Sequence, residues 1–100
     1  MSGEAKPRKK RGRQSIASRI LEDLDDTHEE ASFLVCYDFR ARANLPFYKN
    51  LEIIIRETQD GIRVQKSLIK CKKLRTAQAI KRLVEHYDAS ALLFKIEELE

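Results

Sequence analysis

The stretch Ser32-Phe-Leu-Val-Cys-Tyr-Asp-Phe39 decides the fold. It is a continuous apolar run of strand-forming residues with an aspartate near its end, which predicts a central strand buried on both faces. An aspartate at the end of such a strand lies where ligands meet the sheets of α/β proteins. The stretch therefore predicts the first strand of a small domain and a candidate site at Asp38.

A helix follows this strand. The apolar residues after Pro46 recur at helical spacing, which predicts a helix from Pro46 to about Thr58, with Asn44 as its N-cap. Asp60-Gly61 ends it.

The remaining elements complete one sheet. Residues 62–72 alternate and then shift phase, which predicts a strand with a bend or a second short strand. A second helix is predicted over 77–87 with Thr76 as its N-cap, and a last strand over 91–96. The order β-α-β-β-α-β predicts an α+β domain with two helices on one face of the sheet, and the ferredoxin-like sandwich is the most economical choice.

Charge divides the chain into three parts. Residues 1–13 sum to +5, residues 14–31 to −5 and residues 32–100 to +4. The basic arm 1–13 has no periodic apolar residues and is predicted to be disordered. Within 14–31, apolar spacing predicts a short amphipathic helix capped by Ser15, followed by an acidic linker. That helix needs a partner surface, in this chain or another.

Composition bounds the remaining properties. About seventy residues form a marginal core, so self-association is expected. Cys36 and Cys71 have no second ligand at metal spacing, and Cys36 is predicted to be a small core residue. No apolar run approaches the ~20 residues of a membrane span, which predicts a cytoplasmic protein without membrane contact.

Asp38 is the candidate metal ligand. A carboxylate at this position could hold Mg²⁺, which prefers oxygen ligands, and a two-fold dimer would place two such aspartates face to face. The alternative is that Asp38 caps the loop or pairs with Arg40 or Arg42.

Basic and polar residues form the candidate binding surface. Arg63, Gln65 and Ser67 are predicted to share one face of a strand, where they could bind phosphate or belong to a solvated sheet face. A basic cluster beside them, together with the arm, is suited to nucleic acid, although lysines also protect an edge strand from aggregation. The cluster comprises Lys66, Lys70, Lys72, Lys73 and Arg75.

The order of these motifs resembles a known family. The sequence Phe33-Leu-Val-Cys-Tyr-Asp38-Phe, then arginines and a helix, then Gly61-Ile-Arg-Val-Gln-Lys-Ser-Leu-Ile69, is similar to the small CRISPR-associated adaptation subunit, the second Cas protein. It also resembles virulence-associated protein D. The resemblance covers about residues 33–97 and leaves 1–31 unexplained.

This resemblance implies a ferredoxin-like homodimer that handles nucleic acid. Asp38 would lie at the dimer interface and support metal-dependent cleavage of RNA or DNA in some members, whereas other members only scaffold DNA. Arg40, Arg42 and Arg63 would match positions that contact the nucleic-acid backbone.

Three functions are therefore considered. The preferred one is a nucleic-acid-binding homodimer, for DNA or RNA, that acts as a scaffold or regulator. The second is an Mg²⁺-dependent endonuclease with paired Asp38 residues, and the third is a protein-interaction module that docks through helix 15–24. The expected nucleic-acid contacts are Lys9, Lys10, Arg11, Arg13, Arg40, Arg42, Arg63, Gln65, Ser67, Lys72 and Lys73.

Overall fold

The computed structural model describes residues 14–25, 30–39, 45–97 and 99. The described elements, in chain order, are α1 (Ile16–Asp23), β1 (Glu30–Asp38), α2 (Leu45–Thr58), β2 (Ile62–Gln65), β3 (Leu68–Lys73), α3 (Leu74–His86) and β4 (Ser90–Ile96). Each of these helices is too short or too polar to cross a lipid bilayer.

The four strands form one antiparallel sheet in the order β2-β3-β1-β4. β1 and β3 are the central strands, and α2 and α3 connect non-adjacent strands on one side of the sheet. This strand order and helix placement are those of a ferredoxin-like fold, which confirms the predicted α+β class.

β1 shows the alternation of a strand that is covered on one face only. Phe33, Val35 and Tyr37 are buried, whereas Leu34 and Cys36 are half-buried. The predicted burial on both faces is therefore wrong. The helices cover one face, and successive side chains of a strand point to opposite faces, so the second face of the sheet stays open.

The core lies between the sheet and the helices. Phe47, Leu51 and Ile54 from α2 and Ile80 and Leu83 from α3 are almost completely buried in it. Each such side chain contributes about 2 kcal/mol through removal of apolar surface from water.

α1 packs on α2 and α3, so this chain itself supplies the partner surface that the amphipathic helix needs. As predicted, the Ser15 side chain caps α1 by accepting the Ser18 N–H at 3.0 Å. Ala17 and Leu21 are buried against the domain. The apolar face proposed for a separate protein partner is thus occupied within the chain.

Two polar contacts fix the ends of α1. The backbone N–H of Ala17 donates to Asn50 Oδ1 at 2.9 Å, and Asn50 Nδ2 donates to the Tyr87 hydroxyl at 3.3 Å. At the other end, Arg75 Nη2 donates to the Leu21 carbonyl at 2.7 Å. α1 therefore begins near the start of α2 and the end of α3, and ends near the start of α3.

The start of α3 differs from the sequence prediction. The helix begins at Leu74, directly after β3, and its N-cap is Lys73, whose side chain makes no capping bond. The predicted cap, Thr76, lies inside the helix, and its buried hydroxyl has no hydrogen-bond partner among the described residues. Asp60 replaces the local cap, because its carboxylate accepts the backbone N–H groups of Lys72 and Lys73 at 2.8–3.0 Å.

Candidate nucleic-acid interface

Three parts of the sheet meet at one end of the domain, here named the Asp38 end. β1 ends there at Asp38, β4 begins there at Ser90, and these two residues are register partners. The turn Lys66-Ser67 between β2 and β3 lies at the same end, because Leu68 pairs with Cys36 of β1.

Tyr37 ties the β2–β3 turn to β1. Its backbone N–H donates to the Ser67 carbonyl at 3.1 Å, and its hydroxyl donates to the Lys66 carbonyl at 3.0 Å. Burial raises the pKa of the Tyr37 hydroxyl above its usual value of 10.0, while the nearby Arg63 charge lowers it in part. The hydroxyl therefore remains a protonated donor at neutral pH, and the turn is held beside Asp38.

Arg63 is held at the same turn by a second contact. Its Nη2 donates to the Lys66 carbonyl at 3.3 Å, and its guanidinium lies 5.4 Å from the centre of the Tyr48 ring. Stacking on an aromatic face restricts the exposed side chain while leaving a cation at the surface.

Aromatic side chains pack against one another beneath the surface of the Asp38 end. Of the seven aromatic residues in the chain, five form one cluster of edge-to-face or tilted contacts, with centroid distances of 4.8–6.0 Å. Such pairs add about 0.5–1.5 kcal/mol each beyond their buried area, which stabilises the packing at this end. The five residues are Tyr37, Phe39, Phe47, Tyr48 and Tyr87.

Two charged segments of the sequence connect to this end. α1 begins here, since Ala17 contacts Asn50 near the start of α2, so the segment 1–13 is joined to the domain at the Asp38 end. The segment 40–44 also leaves and rejoins the described chain here, because the rings of Phe39 and Phe47 are 4.8 Å apart. The structures of both segments lie outside the described residues, as do the predicted contacts Lys9, Lys10, Arg11, Arg13, Arg40 and Arg42 and the predicted N-cap Asn44.

The predicted strand face Arg63-x-Gln65-x-Ser67 does not form. Arg63 pairs with Ile69, which faces the helices, whereas Gln65 pairs with Leu68 on the open face. The register shift between them is a β-bulge, which places Arg63 and Gln65 on opposite faces, and Ser67 lies in the turn. All three residues are nevertheless exposed near the Asp38 end.

The predicted basic cluster is divided between the two ends of β3. Lys66 lies at the Asp38 end, while Lys72 and Lys73 lie at the opposite end, here named the Lys72 end. Lys73 Nζ donates to the Thr58 carbonyl at 2.9 Å, and Arg75 donates to carbonyls of α1. These two side chains therefore have structural contacts within the domain.

Asp38 is exposed, and a metal ion would need ligands beyond it. In the described part of the chain, no three His, Cys, Asp or Glu side chains lie close enough together to hold a metal ion. Among the described residues, the donor set around Asp38 does not fit Mg²⁺, which requires several oxygen ligands. In a dimer, a second copy of the chain would add a second Asp38 carboxylate.

The open face of the sheet carries exposed apolar side chains. Ile62, Leu92 and Phe94 keep 64%, 61% and 45% of their surface exposed. Phe94 pairs with Leu34 and Leu92 pairs with Cys36, which in turn pairs with Leu68, so apolar side chains of β4, β1 and β3 adjoin on this face, while Lys70 lies between Ile62 and Leu34. An exposed apolar patch of this kind is typical of an interaction surface.

Comparisons of the chain with protein-family models, with curated proteins and with solved structures found no match. Function is therefore inferred from the residues of the site.

Sequence reasoning missed two parts of this site, Tyr48 and the role of Tyr37. Tyr48 supports Arg63, and Tyr37 anchors the turn through Lys66. The available signal was the grouping of aromatic residues just before and just after the segment 40–44.

Proposed function

We propose that this protein binds DNA or RNA through the Asp38 end of its domain, as a homodimer that acts as a scaffold or regulator. The observation that carries the proposal is the meeting of separate basic segments at one end. The turn of the β2–β3 hairpin lies there, and the arm 1–13 and the segment 40–44 are both joined to it.

Charge supports a polyanionic partner. At the Asp38 end the hairpin presents Arg63 and Lys66, and residues 1–13, which join the domain there, carry six basic residues against one acid. Clustered cations bind nucleic acid by releasing counterions from the phosphate backbone. Exposed Gln65 and Ser67 add polar groups that can contact phosphate and sugar.

The two ends of β3 provide a matched experiment. Fluorescence anisotropy with labelled single-stranded and duplex DNA and RNA compares Lys66→Glu with Lys72→Glu, which make the same charge change on exposed lysines at opposite ends. We expect Lys66→Glu to weaken binding about tenfold and Lys72→Glu to weaken it much less. Equal effects of the two variants would contradict binding through the Asp38 end.

The apolar open face supports the homodimer. A second copy would cover Ile62, Leu92 and Phe94, and burying such side chains is favourable by about 25 cal/mol per Å². Sedimentation velocity should show a dimer that Leu92→Lys converts to a monomer. Arg82→Glu, an exposed charge change on α3, is the control and should leave the dimer intact. A wild-type monomer at all concentrations would contradict this part of the proposal.

A second candidate function, Mg²⁺-dependent cleavage of RNA or DNA, is favoured by one observation. Asp38 is exposed and follows the apolar open face along β1, so association through that face could bring two Asp38 carboxylates together. A bound Mg²⁺ would supply charge stabilisation and an activated water.

Cleavage assays with and without Mg²⁺ test this second function. Asp38→Ala should abolish cleavage without changing the sedimentation of the protein, and Asp88→Asn, an exposed acid at the same end, should retain it. Cleavage that persists in Asp38→Ala would exclude Asp38 as its cause.

A further inference from the structure

A groove of about 450 Å³ lies between α2 and β2, at the edge of the sheet. The side chains of Tyr48, Leu51 and Ile55 form its apolar part. Its size is within the range of roughly 300–1,000 Å³ that is usual for binding pockets. Of its lining residues, the surface proposed for nucleic acid uses Arg63 and its support Tyr48, whereas Leu51, Ile55 and Arg56 have no part in it.

β2 presents an unpaired backbone edge beside the groove. It is the outermost strand of the sheet, and in the described part of the chain β3 is its only neighbour. All four of its residues are exposed. The outer N–H and C=O groups of such a strand are available to pair with another extended segment.

Charge around the groove favours an acidic occupant. Arg56 and Arg63 border it with exposed side chains, opposed by Glu52 alone. An extended peptide also has the right periodicity, because alternate side chains of an added strand would point into the apolar part of the groove. Nucleic acid would use the two arginines, but it would leave the strand edge and the apolar floor without a matching partner.

We propose that β2 and α2 form a docking groove for an extended acidic segment of a partner protein, which adds to the sheet as a fifth strand. The main-chain bonds of β2 would supply affinity, and Leu51 and Ile55 would receive alternate apolar side chains. The positive charges of Arg56 and Arg63 would favour acidic residues in the partner segment, at the positions between its apolar side chains. The groove shares Arg63 and its support Tyr48 with the surface proposed for nucleic acid.

The test uses the full chain labelled with ¹⁵N and an acetylated hexapeptide of alternating valine and glutamate. Three matched probes accompany it: the same peptide with N-methylated backbone, a peptide of alternating valine and lysine, and an oligothymidylate. We expect the valine–glutamate peptide to shift the amide signals of residues 62–65 and to slow their hydrogen exchange. N-methylation should abolish binding, because a methylated backbone cannot pair with the strand edge.

Arg56→Glu separates this proposal from the proposed function, because Arg56 has no part in the nucleic-acid surface. We expect it to weaken peptide binding about fivefold, as for reversal of one exposed charge pair, and to leave nucleic-acid affinity nearly unchanged. Absence of peptide binding, shifts outside β2 and α2, equal binding of the valine–lysine or N-methylated peptide, or stronger binding of oligothymidylate in the groove would each overturn the proposal.

Discussion

The hydroxyl of Tyr37 donates a hydrogen bond to the carbonyl oxygen of Lys66 at 3.0 Å, across 29 positions of sequence. This bond fixes the turn between β2 and β3 beside the end of β1. Through this bond the central strand β1 positions the exposed Lys66. The sequence alone does not show that Tyr37 and Lys66 are in contact.

Removing that hydroxyl should loosen the turn. Tyr37→Phe keeps the aromatic cluster and leaves the Lys66 carbonyl, among the described residues, with the longer bond from Arg63. We expect the free energy of unfolding to fall by about 1 kcal/mol, measured by urea denaturation, and nucleic-acid affinity to fall with it. Tyr48→Phe, which keeps the ring beneath Arg63, is the control. An unchanged stability in Tyr37→Phe would show that the turn does not need this bond.

Asp60 should be important for stability although it lies outside the proposed binding surface. Its carboxylate accepts two backbone N–H groups where β3 passes into α3, in place of a local cap. Asp60→Ala should lower the free energy of unfolding by about 2 kcal/mol, and Asp60→Asn, which keeps one acceptor oxygen, should lower it less. Hydrogen exchange at the Lys72 and Lys73 amides should become faster in Asp60→Ala. Unchanged exchange there would contradict this capping role.

Replacing each of two buried threonines by valine should change the stability of the protein in opposite directions. In the part of the chain that the structure describes, the Thr76 hydroxyl has no hydrogen-bond partner, whereas the Thr58 hydroxyl donates to the Ile54 carbonyl at 2.7 Å. Valine has nearly the same shape, so Thr76→Val should raise the free energy of unfolding by about 1 kcal/mol because it removes an unpaired polar group. Thr58→Val should lower it by a similar amount. Thermal denaturation of the two variants measures this contrast, and destabilisation by Thr76→Val would indicate a partner for that hydroxyl.

Sequence patterns predicted the order of elements well, because apolar spacing reports local structure directly. The Ser15 cap and the helix ending at Thr58 are examples. The cap of α3 was missed because Asp60 provides it from a distant position. The prediction that Arg63 and Gln65 share one face of the strand was wrong because a bulge lies between them. One extra residue in a bulge moves the following side chains to the opposite face, and an alternating sequence does not show where a bulge occurs.

The candidate site was predictable only in part for the same reason. Asp38 stands out as an acid at the end of an apolar strand, but the support that Tyr48 gives Arg63 depends on packing between α2 and β2. Lys66 and Lys72 are separated because β3 runs from one end of the sheet to the other. The shift in the alternating pattern did not show whether these residues belong to one bent strand or to two strands.

Stability should decrease at alkaline pH because of Cys71. Burial, with the Asp60 charge as a smaller cause, raises the pKa of the Cys71 thiol from 9.0 to about 12. The unfolded chain therefore loses this proton at lower pH than the folded chain does. The free energy of unfolding should fall as pH rises from 9 towards 12, by at most about 1.4 kcal/mol per pH unit for this group.

Denaturation of Cys71→Ala across this pH range isolates the thiol. The variant should be less stable than wild type near pH 7, because a buried side chain is shortened, but its stability should fall less steeply above pH 9. Tyr37→Phe, measured in parallel, accounts for the tyrosine, whose pKa is also raised by burial. Equal slopes for Cys71→Ala and wild type would contradict the predicted shift.

The basic arm should determine the salt dependence of nucleic-acid binding. Residues 1–13 carry six basic side chains and join the domain at the Asp38 end, where the arm can reach the same phosphate backbone as the turn. Each arm cation that neutralises a duplex phosphate should steepen the slope of log K against log salt by roughly 0.9. Deleting residues 1–13 should therefore weaken binding and flatten this slope between about 50 and 200 mM salt. A chain of full length with the six basic residues changed to serine should behave like the deletion, since charge and not length is the cause. If the slope of either variant equals that of wild type, the arm does not contact the nucleic acid.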